Sequence, residues 1–157
     1  LVNNFLGKTV ISASFGEGVI AEITEMNEEH FFIVQNQDNN MRHYVPINDS
    51  NAYRYITNES EFIEILEKDL IHKREIKEFD SKKDRINFFK EQSKNQNLSN
   101  ICQNISLLHW IEDKGTLEEQ IYQRLIENLS LEYSLIKSID RKQAETFILD
   151  KMSEIGN

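Results

Sequence analysis

The apolar residues change their period near position 57, and that change restricts the chain to folds in which a strand-rich part precedes a helical one. Residues 1–57 hold short β-branched and aromatic runs separated by Gly, Asn and Asp. Residues 58–157 carry apolar stripes at helical spacing, with almost no Gly and no Pro. Thr9-Val10-Ile11 predicts a first strand, Gly16-Glu17-Gly18 a turn, and Val19 to Ile23 a second strand. Thr24 to Glu29 reads as a polar turn and His30 to Val34 as a third strand. Asn36 to Asn40 is a strong turn cluster, because Asn and Asp tolerate left-handed backbone. Met41 to Val45 alternates as a further strand, which Pro46, the only proline, closes. Four or five strands this short are expected to curl into a small barrel that hides its edges. Such a barrel has no room inside for a ligand and binds by an edge strand or a loop.

The second part reads as an all-α bundle of about five helices. Asn58 or Ser60 can cap a helix with Phe62, Ile63, Leu66 and Leu70 on its apolar face. Residues 73–83 show little periodicity and predict a basic linker, after which Arg85 to Gln92 forms a second helix. Asn95-Gln96-Asn97 breaks it and caps a third, with Leu98, Ile101, Cys102, Ile105 and Leu108 on one stripe. Lys114-Gly115 is expected to end that helix, and Thr116 with Glu119 to open a long fourth one through a capping box. Ile121, Tyr122, Leu125, Leu129, Glu132, Tyr133 and Ile136 fall along it. A last helix starts at Ser138 or Asp140 and turns Ala144, Phe147, Ile148 and Met152 inward.

Composition narrows the function classes. With 39% apolar and 29% charged residues, the chain belongs with soluble globular proteins. Its apolar runs are too short for a transmembrane helix, and no basic region followed by an apolar stretch marks a secretory signal. A lone cysteine, Cys102, fits a reducing compartment, so a cytoplasmic protein is expected; a monomer is expected too, though no residue pattern sets the oligomeric state. The net charge of −9 argues against a protein that coats nucleic acid. Residues 73–94 nevertheless hold eight cations against five carboxylates, read equally well as a solvated face or a binding patch. Gly16 and Gly18 do not match a phosphate-loop spacing. Cys102 sits on an apolar stripe, where a buried inert thiol is expected. His30, His43, His72 and His109 are scattered, and no nucleophile–base pair stands out. Neither an enzyme, a metal nor a cofactor is expected. Trp110 lies beside its stripe, which suits packing between modules or on a neighbouring helix better than a binding anchor.

Phe5-Leu6-Gly7-Lys8-Thr9-Val10-Ile11, followed by Phe15-Gly16-Glu17-Gly18-Val19-Ile20-Ala21-Glu22-Ile23, resembles the opening of the CarD/CdnL family of bacterial transcription regulators. Tyr44-Val45-Pro46 resembles that family's "VP" strand end, and Arg54 falls where a "GLR" arginine lies. Asn100 to Leu108 is similar to its "VAEVVRDL" helix, Lys114-Gly115 to its "KGLS" turn, and Ala144 to Asp150 to its last helix. The resemblance runs through the whole chain in order. It implies a Tudor/SH3-like barrel, shared with transcription-repair coupling factor, that docks on the RNA polymerase β subunit. It also implies a helical module that contacts the upstream edge of the promoter bubble. By that likeness Met26, Arg42, His43 and Tyr44 would face polymerase. Lys82, Lys83 and Arg85 would meet DNA phosphates, and Phe88 or Phe89 would stand in for the family's wedge tryptophan, whose position falls at Lys82 or Lys83. Phe88 and Phe89 fit a helix core equally, at least one of them by preference.

The combined expectation is an α+β chain of two modules, 1–57 and 58–157. Its function would be non-enzymatic: the barrel binds the polymerase β subunit and the helices stabilise the open promoter through weak, sequence-independent DNA contacts. The rival expectation is an adaptor on polymerase that never touches DNA.

Overall fold

The structure, a computed structural model, describes residues 4–72 and 77–155; Lys73 and Arg74 of the basic stretch lie outside them. The chain divides into two compact units, Leu1–Ile56 and Thr57–Asn157. The first is an antiparallel sheet of five strands: β1 (Thr9–Ser12), β2 (Gly16–Met26), β3 (Glu29–Gln35), β4 (Arg42–Pro46) and β5 (Arg54–Tyr55). Their order is β4-β3-β2-β1-β5. The sheet is therefore open, and the closed barrel expected above does not form: β4 and β5 lie at opposite margins and do not pair with each other. A physical reason is at hand. β5 is two residues long, too short to complete a ring of strands. Side chains cover the inner face instead. Phe5, Tyr53 and Tyr55 pack over Val10, Ile20, Phe32, Val34 and Val45, with Phe32 meeting Tyr53 edge-on at 5.7 Å.

Two turns differ from expectation. β2 begins at Gly16, so Ala13 to Phe15 makes the reversal and both glycines lie in a strand. Gly18 is needed there, because a Cβ at that position would press into Val34 Cγ1 and the Gln35 carbonyl. β2 then runs to Met26, beyond the polar turn predicted from Thr24 onward, with a register shift between Ile20 and Glu22. Asn27 and Glu28 alone make the next turn, at φ 53° and 66°, matching the twist of the flanking strands. The Asn36 amide ties a third turn to the first and to β2 by donating to the Phe15 and Glu17 carbonyls at 3.4 and 3.1 Å.

The second unit holds five helices. α1 (Glu59–Ile65) is capped by Asn58, whose side chain accepts from Glu61 N at 2.8 Å, and it widens into a π-helical segment over Leu66–Ile71. There Asp69 is buried, accepting from Ser99 Oγ at 2.5 Å and from Gln103 Nε2 at 3.1 Å. α2 (Lys82–Gln92) starts at the cap Ser81, three residues before the predicted start, so Lys82 and Lys83 belong to a helix and not to the linker. α3 (Leu98–His109) is capped by Asn97. It ends at His109 rather than at Lys114-Gly115.

α4 (Thr116–Lys137) starts from Gly115, whose N–H donates to Glu118 Oε1 at 3.1 Å. The predicted Thr116–Glu119 pair is thus replaced by Gly115–Glu118, one residue earlier. Ser138 ends α4 in left-handed backbone, and Asp140 caps α5 (Arg141–Met152). Phe62, Leu66, Leu70, Ile101, Cys102, Ile105, Leu108, Leu129 and Ile148 form the centre of one apolar core. Tyr133 stacks on Phe147 at 4.0 Å, and the buried Glu132 accepts from Thr57 N and Oγ1 at 2.8 and 2.7 Å.

Two positions of the β2–β3 hairpin generate opposite expectations for stability. Gly18→Ala overpacks β2 against β3 and should lower unfolding free energy by about 1–3 kcal/mol. Glu28→Gly relieves left-handed backbone and should raise it by up to about 1 kcal/mol. Urea unfolding followed by circular dichroism reads both changes.

Candidate functional site

The sequence points to two surfaces, one in each unit. In the first unit, β4 forms a margin of the sheet, and its outer edge pairs with no strand among the described residues. Cross-strand register decides what it displays. Tyr44 lies opposite Ile33, which lies opposite Glu22; Arg42 lies opposite Gln35, and Met26 opposite Glu29. Alternation along each strand places Met26, Arg42 and Tyr44 on one face with Glu22. Arg42 Nη2 donates to Glu22 Oε2 at 2.5 Å, and Tyr44 is 57% exposed. His43 is on the opposite face, against Val34, with its ring stacked on Phe15 at 4.7 Å. The fourth member of the predicted polymerase set is thus turned toward the aromatic cover of the sheet.

In the second unit, Lys82 and Lys83 occupy the first turn of α2, where the helix dipole disfavours cations. A broken local rule of this kind is expected at functional positions. Lys83 is exposed. Lys82 Nζ pairs with Asp113 Oδ2 at 3.0 Å. Arg85 is only 13% exposed and is already engaged. Its Nε and Nη2 donate to Glu118 Oε2 and Oε1 at 2.6 and 2.8 Å, and its Nη1 donates to Asp113 Oδ1 at 3.0 Å. Burial pushes the Glu118 carboxyl up, but Arg85 and the Gly115 N–H outweigh it and hold it below the usual range.

The aromatic pair separates. Phe89 is buried in the core, which removes it as a wedge. Phe88 is half-buried beside Phe79, with Lys77 Nζ 3.9 Å from its ring centre. Trp110 was expected to pack between modules or on a neighbouring helix rather than to serve as a binding anchor. It caps the carboxyl end of α3, is 38% exposed, and lines a groove of about 440 Å³ with Lys77, Phe79, Ser81, Lys82 and Asp113. Its position off the apolar stripe was the available signal. Only packing brings it beside Lys82.

His109 Nδ1 lies 3.0 Å from the Tyr122 hydroxyl; burial and nearby Lys114 lower its pKa. Among the described residues, no group of three or more His, Cys, Asp or Glu could hold a metal ion, and no helix is long and apolar enough to cross a membrane. No protein-family model matches the chain, and no curated protein matches it.

Glu118→Gln should lower stability by roughly 3 kcal/mol at neutral pH, since it leaves Arg85 without its buried partner. The folded Glu118 pKa lies below its unfolded value. The pair therefore stabilises above the ordinary carboxylate range and loses that effect as pH falls through the lowered pKa. Thermal melts of both proteins should differ at pH 7 and converge in acid.

Proposed function

We propose that this chain is a non-enzymatic regulator of transcription of the CarD/CdnL kind, acting in the cytoplasm. In this reading the open sheet is a Tudor-like module that docks on the RNA polymerase β subunit, and the helical unit stabilises the open promoter. The observation that carries it is the unpaired β4 margin with Arg42 and Tyr44 displayed beside it. An exposed strand edge is a template for pairing with a partner's sheet, and a protein keeps one uncovered where a partner uses it. Arg42 and Tyr44 are residue types that anchor interfaces.

The helical unit supplies the second contact through the groove of Lys77, Phe79, Lys82 and Trp110, with Lys83 beside Lys82 on the first turn of α2. Cations there position phosphates without reading sequence, and the exposed Trp110 ring, beside the half-buried Phe79, offers a face to unpaired bases. Tethering to polymerase raises the effective concentration of DNA, so little intrinsic affinity is needed in a chain of charge −9. Stabilising an open complex by ~1.4 kcal/mol shifts its equilibrium about tenfold. A second reading, an adaptor that meets another protein and never DNA, is favoured by the engagement of Lys82 and Arg85 with Asp113 and Glu118.

Pull-down of purified polymerase β subunit tests the docking arm. Wild type should retain it, and both Arg42→Glu and Tyr44→Ala should reduce retention at least tenfold while circular dichroism stays unchanged. The second variant matters because Arg42→Glu also places a carboxylate opposite Glu22. Absence of binding by wild type would sink the polymerase reading.

A further inference from the structure

Resting on the reading that the helical unit meets nucleic acid, we propose that Lys82 and Arg85 form a seat for one backbone phosphodiester, which the Asp113 carboxylate fills until DNA displaces it. The geometry is that of a tethered substitute anion. One carboxylate oxygen takes Lys82 Nζ at 3.0 Å and the other takes Arg85 Nη1 at 3.0 Å. The two unesterified oxygens of a phosphodiester present the same pair of acceptors to the same pair of cations.

The parts differ in mobility in the way displacement requires. Arg85 is fixed from behind by two bonds to the buried Glu118, so it stays when Asp113 leaves. Lys82 is exposed and can follow an incoming phosphate, and Asp113 lies exposed between α3 and α4. Trp110 and Phe79 line the same groove, where bases or sugars flanking that phosphate would lie. Lys82 and Arg85 draw the Asp113 carboxyl below its ordinary range, consistent with an anion held by both cations.

The consequence is a device that keeps affinity low. A phosphate must replace an anion already seated, so the free chain gains little from stray DNA. Tethering restores binding by supplying phosphate at high local concentration.

The test uses the full chain and a forked duplex oligonucleotide in low salt. Asp113→Asn should bind about two- to fivefold more tightly than wild type, the range that an exposed ion pair can hold back. Glu145→Gln, the same charge change at an exposed position on α5, should give no such gain. Adding Lys82→Gln to Asp113→Asn should abolish the gain.

A second readout needs no variant to fold. In wild type, carbon-detected NMR should show the Asp113 carboxyl pKa rising when the oligonucleotide binds, and staying put with inorganic phosphate at equal phosphate concentration. Equal gains in the two carboxylate variants, a gain that survives Lys82→Gln, or an Asp113 signal unmoved by bound oligonucleotide would each overturn the proposal. So would a response to inorganic phosphate alone. Absence of oligonucleotide binding by every variant would remove the DNA arm as well, leaving polymerase docking untouched.

Discussion

The bidentate contact between Arg85 and Glu118 ties α2 to the start of α4, and the groove beside it depends on that tie. α2 fully buries a single side chain, Phe89, so apolar packing alone gives it a narrow footing. The Arg85 fork adds a second anchor on α4, and Glu118 also accepts the Gly115 N–H that opens that helix. One buried carboxylate thus closes a helix terminus and fixes a neighbouring helix. Removing its charge exposes both to the cost of an unpaired buried cation.

That anchor sets the chemistry of the groove. Arg85 presents one remaining N–H edge toward Asp113, and Lys82 approaches the same carboxylate from the first turn of α2. Two cations that charge counting would assign to solvent are held at one point, next to Trp110 and Phe79. The proposed function follows from weak contacts made additive. In that proposal an open sheet margin would hold polymerase, and a partly masked cationic groove would add its binding energy once tethering supplies the DNA.

Much of the fold was legible because it rests on local chemistry. Asn58, Asn97 and Asp140, each among the candidate caps the sequence offers, stand where short polar side chains precede apolar stripes and accept from the N–H groups of Glu61, Asn100 and Gln143. Misreadings arose where two local signals compete. Thr116 with Glu119 fits a capping box, yet Gly115 takes the N-cap, and the Glu118 carboxylate that accepts its N–H is the one Arg85 also holds. Gly16 and Gly18 look like turn residues, yet Gly18 is a strand position whose missing Cβ admits Val34. Barrel closure was expected from strand number, but strand length governs it, and β5 is too short.

The candidate site was legible in part. The family resemblance singled out Arg42, His43, Tyr44, Lys82 and Lys83, but could not tell which face of β4 the first three would take. Register did that, turning His43 onto Phe15. Nor could charge counting find that Arg85 is committed, because its partners lie 28 and 33 positions away in the chain. By itself the sequence determined two units of different secondary structure, the caps of α1, α3 and α5 to within the candidates it offers, and much of the composition of their cores, since periodicity and capping act over a few residues. Tertiary structure alone decided that the sheet stays open, that Phe89 is core while Trp110 shares a groove with Lys82, and that Asp113 sits between two cations. Those outcomes depend on contacts between residues far apart in the chain, where no local pattern records which partner wins.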